Sequence, residues 1–110
     1  MKAANSTVNI EDLDVKMLQF LSDLENKLGY ELIITSGYRS PEHPIEARKA
    51  KPGEHSTGLA ADVAAIGGSP TYDLVAAAIG LGCERIGVSR KNNFVHLGLD
   101  NTRVKSIWTY

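Results

Sequence analysis

From Leu59 to Ile66 the chain runs Leu-Ala-Ala-Asp-Val-Ala-Ala-Ile, an apolar stretch interrupted by one carboxylate, Asp62. A run this short and this apolar reads as a buried strand. A carboxylate inside such a strand is costly unless it is paired or bound to a metal. Any fold that buries this segment must therefore bring a partner to Asp62.

The remaining pattern supplies the elements around that strand. Asn9 or Asp12 is positioned to cap a helix in which Leu13, Met17, Phe20, Leu21, Leu24 and Leu28 recur at helical spacing, with Gly29 as its C-terminal stop. Residues 31–36 form a β-branched run before a glycine and read as a strand. Pro41, Pro44 and Pro52 leave room for one short helix, from Ile45 to Ala50. Gly67-Gly68-Ser69-Pro70 reads as a turn in which Ser69 caps a helix running from Pro70 to Leu81. Strands follow at 85–89 and 94–99 across the polar turn 90–93, and 104–108 adds an edge strand. Short β-connections between interleaved helices and strands predict an α+β fold with a mostly antiparallel sheet. One domain over residues 1–110 is expected, with residues 1–8 as a loose N-terminal arm.

The net charge of −1, with no clustered run of basic residues, argues against a nucleic-acid partner. No apolar run approaches the roughly 20 residues that span a bilayer, and no basic-then-apolar leader opens the chain. Synthesis in the cytoplasm without a secretory signal is the expectation. No sign of an obligate interface is present, so a monomer is expected. Cys83 is the single cysteine and sits among apolar residues, as a small buried hydrophobe would.

The chain holds three histidines. His55 opens the segment that leads into the Asp62 strand, and His96 lies within the strand 94–99. Two imidazoles and a carboxylate make the donor set of a catalytic zinc site, which keeps a fourth position open. The same residues also admit a structural reading, in which His96 is a satisfied core or surface histidine and Asp62 caps a turn or pairs with Arg39. Spacing alone leaves both open. His43 lies in a Ser-Pro-Glu-His turn and reads as a surface residue.

Three blocks carry a resemblance. Ser36-Gly37-Tyr38-Arg39-Ser40-Pro41-Glu42-His43, then His55-x-x-Gly58-x-Ala60-x-Asp62, then Phe94-Val95-His96 resemble, in the same order, the M15 peptidases. These are zinc D-alanyl-D-alanine carboxypeptidases and related phage endolysins. The similarity covers residues 31–99, and Trp108 resembles the closing tryptophan of shorter members. It implies a hedgehog/DD-peptidase-like fold, Zn2+ held by His55, Asp62 and His96, and peptidoglycan stem peptide as substrate. Arg39 matches the family arginine that stabilises the substrate carbonyl or its oxyanion, a task suited to a fixed guanidinium. Gly58 is expected to allow close backbone approach beside the metal, with Ser36 and Tyr38 shaping the pocket.

The resemblance breaks at the general base. Many members carry an acid three positions before the last histidine ligand, and here that position is Asn93. Shorter members often carry an Asp two positions after it, and here that position is Gly98. Asp100 is the first substitute, on the same strand face as His96 but roughly 13 Å along an ideal strand. Glu54 ranks next, from a segment that also carries Glu42 and Glu46. Two functions follow: a zinc peptidase cutting D-amino-acid bonds of the cell wall, or a catalytically impaired metal-binding module that recognises cell-wall peptide or builds a phage particle.

Overall fold

The computed structural model describes residues 1–49 and 53–110. Six strands make one mixed sheet in the order β1-β2-β3-β5-β4-β6. They are β1 (Lys2–Ala3), β2 (Ile33–Ser36), β3 (Ala60–Ala64), β4 (Arg85–Ser89), β5 (Phe94–Gly98) and β6 (Ser106–Thr109). Helices α1 (Val15–Leu28) and α3 (Gly68–Gly80) are long, whereas α2 (Pro44–Ala47) is a single turn and Glu54–Thr57 is a 3-10 turn. The architecture is α+β. The three inner pairings are antiparallel and the two outer ones, β1–β2 and β4–β6, are parallel.

Strand alternation divides the sheet into two unlike faces. Ile34, Ala61, Val63, Ile86, Val95 and Leu97 share one core with Met17, Phe20, Leu21 and Leu24 of α1 and Leu74, Ala77 and Ala78 of α3. Cys83 is buried in the same core. Intervening strand residues are thereby turned to the face away from α1 and α3, Asp62 and His96 among them.

Element ends differ from the sequence reading where local hydrogen bonding decides them. Asn9 and Asp12 bond one another, Nδ2 to Oδ2 at 2.8 Å and Asp12 N–H to Asn9 Oδ1 at 3.0 Å, and so build a turn of their own. Asp14 caps α1 instead, accepting from the Lys16 N–H. Gly67, at φ 96°, stands where Ser69 was expected, because Thr71 directs both its N–H and its hydroxyl to the Gly67 carbonyl. The short helix expected to reach Ala50 ends at Ala47, and Ala50 lies outside the described residues. The expected loose arm is paired instead: Lys2 and Ala3 lie beside Ile33 and Ile34, and the Met1 ammonium meets Glu25 at 2.5 Å. The open edge of β2 supplies the ladder that the arm joins. No helix among the described residues is long and apolar enough to cross a membrane.

Leu21 is fully buried at the α1–sheet contact. Leu21→Ala is expected to destabilise the fold by about 2–5 kcal/mol, seen as a lower urea midpoint at unchanged slope.

Candidate metal centre

The β4–β5 hairpin inserts β5 between β3 and β4, which sets Asp62 directly opposite His96. The row continues across the sheet through Gly87 to Trp108. A register shift between Ile34 and Ser36 brings Ser36 opposite Asp62 at the other end of that row. Gly87 is required by a close approach: a Cβ there would lie 2.5 Å from Trp108 Nε1. The indole therefore settles with its ring centroid 5.3 Å from that of His96.

His55 arrives from the 3-10 turn before β3. Gly58, at φ 77°, ends that turn and redirects the chain into the strand. Close backbone approach at Gly58 does occur, but towards Asp14 at the start of α1: its carbonyl accepts the Asp14 N–H at 2.9 Å.

His55, Asp62 and His96 are all buried, and one potential donor atom from each lies within 4.8 Å of the others. Both imidazoles address the same oxygen of Asp62: His55 Nε2 at 3.3 Å and His96 Nδ1 at 3.0 Å from Oδ1. The second nitrogen of each ring is also engaged. His55 Nδ1 lies 2.9 Å from the Gly37 carbonyl. A carbonyl only accepts, so Nδ1 carries a proton, and Nε2 is the ring atom turned to Asp62. His96 Nε2 lies 2.9 Å from Glu54 Oε1. Two imidazoles and one carboxylate, with each ring anchored at its far side, fit a zinc ion in donor type and in outer support.

Charge follows from this packing. Burial works to raise the Asp62 carboxyl, but hydrogen bonds and charge from His55 and His96 outweigh it and hold the group well below the usual carboxylate range. Burial likewise opposes ionisation of Glu54, and His96 and Arg85 reverse the balance and lower its pKa. His96 is pushed up, since the two carboxylates outweigh its own desolvation.

The Peptidase M15 family model matches residues 1–98. The chain belongs to the M15 peptidase family. No curated protein matches the sequence. M15 peptidases are zinc metallopeptidases, and the His-Asp-His cluster of this member is compatible with that chemistry.

Other residues singled out in the sequence fall into two groups. Arg39 is near the triad along the backbone, its N–H bonded to the His55 carbonyl at 3.2 Å. Its guanidinium is held by the Ser36 hydroxyl, 2.7 Å from Nη2 and 3.1 Å from Nε, and by Glu46 Oε2, 3.2 Å from Nη1. Glu46 has no exposed side-chain surface and also meets Lys49 Nζ and the Gly53 N–H. In the sequence Glu46 is only one of several glutamates in a Pro-rich segment. The short α2 gives it its role as the anchor of Arg39.

Asp100, expected first as substitute acid, is not joined to the triad. Its carboxylate accepts from the Thr102 hydroxyl and N–H at 2.6 and 3.1 Å and from Arg103 Nε at 2.9 Å. The strand ends at Gly98, and the turn that follows folds the Asp100 side chain onto its own loop. Among the described residues, Glu54 is the one carboxylate besides Asp62 that hydrogen-bonds a triad histidine. Asn93 sits at φ 56° in the β4–β5 turn, and its carbonyl accepts the Ala65 N–H. His43 is exposed and caps α2 through Nδ1.

Two outcomes follow. Asp100→Ala is expected to cost about 1 kcal/mol of stability while zinc uptake is unchanged, measured by denaturant melts and metal analysis. Stability of the metal-free protein is expected to fall on both sides of neutrality. Glu46, Glu54 and Asp62 have lowered folded values, so their stabilisation is present above the ordinary 4.5 and 3.8 and is lost as pH drops through the folded values. His96 is raised, so its stabilisation is present below the ordinary 6.5 and is lost as pH climbs through the folded value. Melting temperature against pH checks both limbs, and Glu46→Gln should flatten the acid one.

Proposed function

We propose that this M15 peptidase is a zinc enzyme that hydrolyses D-amino-acid peptide bonds of peptidoglycan stem peptides, as a carboxypeptidase or an endopeptidase. The observation that carries the reading is the convergence of His55 Nε2 and His96 Nδ1 on one oxygen of Asp62, in a chain whose family consists of zinc peptidases. His55, Asp62 and His96 would hold the ion. Zinc at such a site supplies Lewis acidity towards a peptide carbonyl and makes water a competent nucleophile near neutral pH.

The chain's own groups supply orientation and charge. Three of the five N–H donors of the Arg39 guanidinium are committed to Ser36 and Glu46 among the described residues. That anchoring fixes the plane of the fork and leaves donors to meet the oxygen on which charge develops. Phe94, Trp108 and Tyr110 pack in tilted and edge-on contacts along one flank, Phe94 to Tyr110 at 5.1 Å between centroids and Trp108 to Tyr110 at 6.5 Å. Such a wall shields one side of a bound peptide from water.

A second reading has its own support. Positions 93 and 98 carry no acid, the Asp100 carboxylate is turned into its loop, and Glu54 meets the nitrogen of His96 that faces away from the triad. A metal-bearing module that recognises stem peptide without cutting it accommodates those facts.

Purified protein is expected to take up about one zinc per chain and His96→Ala to take up none, by elemental analysis. The zinc-loaded protein is then expected to release amino acid or cross-linked fragments from stem peptides, measured by mass spectrometry. Arg39→Ala should lower kcat by roughly 10²–10³-fold at unchanged zinc content. Zinc uptake and peptide binding without any release would select the module, and failure of the wild type to take up zinc would overturn both readings.

A further inference from the structure

Glu54 stands in space that belongs, by backbone position, to residue 98. His96 and Gly98 are two apart on β5 and face the same side of the sheet. A Cβ placed on Gly98 would overlap all three atoms of the Glu54 carboxyl group. No side chain at position 98 can coexist with Glu54 as it lies, and the glycine gives the carboxylate its seat against the strand. The two residues are far apart in the chain and make one site only through the fold.

That seat is defined on every side. Glu54 Oε1 accepts from His96 Nε2 at 2.9 Å and from Arg85 Nε at 3.0 Å. Its Oε2 accepts the Asp100 N–H at 3.3 Å. Arg85 is itself held over the Trp108 ring, 5.1 Å from the centroid, and by the Val104 carbonyl. The Glu54 side chain is 4% exposed. A carboxylate this buried requires such partners, and its main consequence falls on His96.

We propose that Glu54 is the positioning residue for His96, supplying across the Gly98 gap the carboxylate that holds the ring proton on Nε2 and leaves Nδ1 bare towards the triad. The inference rests on the metal reading of the preceding subsection. His96 lies between two carboxylates, and a neutral imidazole has one proton to give. If the proton sits on Nε2, it bonds Glu54 and the bare Nδ1 faces Asp62 and the triad. If it sits on Nδ1, it bonds Asp62, and the lone pair points away from any ion held there. Glu54, fixed by Arg85 and the Asp100 N–H, favours the first arrangement. A carboxylate behind a ligating histidine sets tautomer and ring orientation in this manner, and its loss commonly costs 10–100-fold in metal affinity.

Five proteins test this: wild type, Glu54→Ala, Glu54→Gln, Gly98→Asp and the double variant that combines Glu54→Ala with Gly98→Asp. Zinc affinity is measured by competition with a chromophoric chelator, and thermal stability in parallel. Glu54→Ala is expected to bind zinc roughly 10–100-fold more weakly. Gly98→Asp alone is expected to be less stable than wild type, because its side chain overlaps Glu54. In the double variant the Asp carboxylate takes the vacated seat and most of the zinc affinity returns. A signature separates positioning from simple support of the fold. In the zinc-loaded, 15N-labelled protein the His96 Nε2–H should be slow to exchange and shifted downfield in wild type and in the double variant, and absent in Glu54→Ala. Glu54→Gln retains a neutral acceptor of nearly the same shape, and is expected to keep the Nε2–H signal with a smaller loss of affinity.

Equal zinc affinity in wild type and Glu54→Ala, with no gain from adding Gly98→Asp, would overturn this inference and leave the metal centre standing. Zinc bound by none of the five proteins would overturn the metal centre and the inference with it.

Discussion

The pairing of Asp62 with His96 across the β3–β5 ladder organises the sheet face that lies away from α1 and α3. A carboxylate buried in an otherwise apolar strand destabilises the fold unless its charge is met. Here it is met by two imidazoles on a single oxygen. Each imidazole then needs a partner for its other nitrogen. His55 turns to the Gly37 carbonyl and His96 to Glu54, and Glu54 in turn needs Arg85. One buried charge thus recruits a chain of polar groups from four other segments, with no buried side-chain polar atom unpartnered among the described residues.

The opposite face of the same strands supplies the rigidity that such a network needs. Ala61 and Val63 alternate with Asp62, and Val95 and Leu97 flank His96, all of them packed against α1 and α3. Rotating either strand to move a site residue would pull core residues out of contact with the helices. Because the side-chain period of a strand is two, the register that buries the core also places the triad. Glycine at 87 and 98 completes the arrangement by removing side chains from the open face, where an indole and a carboxylate come in over the backbone.

Much of the frame was legible from local pattern. The stripe of Met17, Phe20, Leu21 and Leu24, the apolar run around Asp62 and the polar turn 90–93 each carry a periodicity or a breaker that acts within a few residues. Ends were less legible: Asn9 and Asp12 are good caps in isolation but satisfy one another, and the work passes to Asp14. Parallel pairing of the first residues with β2 had no local signal, because two residues beside a sheet edge form a strand only once that edge exists.

At the site the same division holds. Residue type and order marked His55, Asp62, His96 and Arg39, since few side chains offer lone pairs or a fixed cation and these lie in blocks resembling one peptidase family. The roles of the acids were decided elsewhere. Asp100 has the right face and parity on an extended strand, yet the strand stops at Gly98 and its carboxylate closes a turn with Thr102 and Arg103. Glu46 and Glu54, alike in sequence, are separated only by the fold, one locking Arg39 and the other His96. Chemistry-bearing residue types are a property of the chain and can be read from it. Which carboxylate meets which nitrogen depends on contacts between segments distant in sequence, and those exist only after β5 has inserted beside β3.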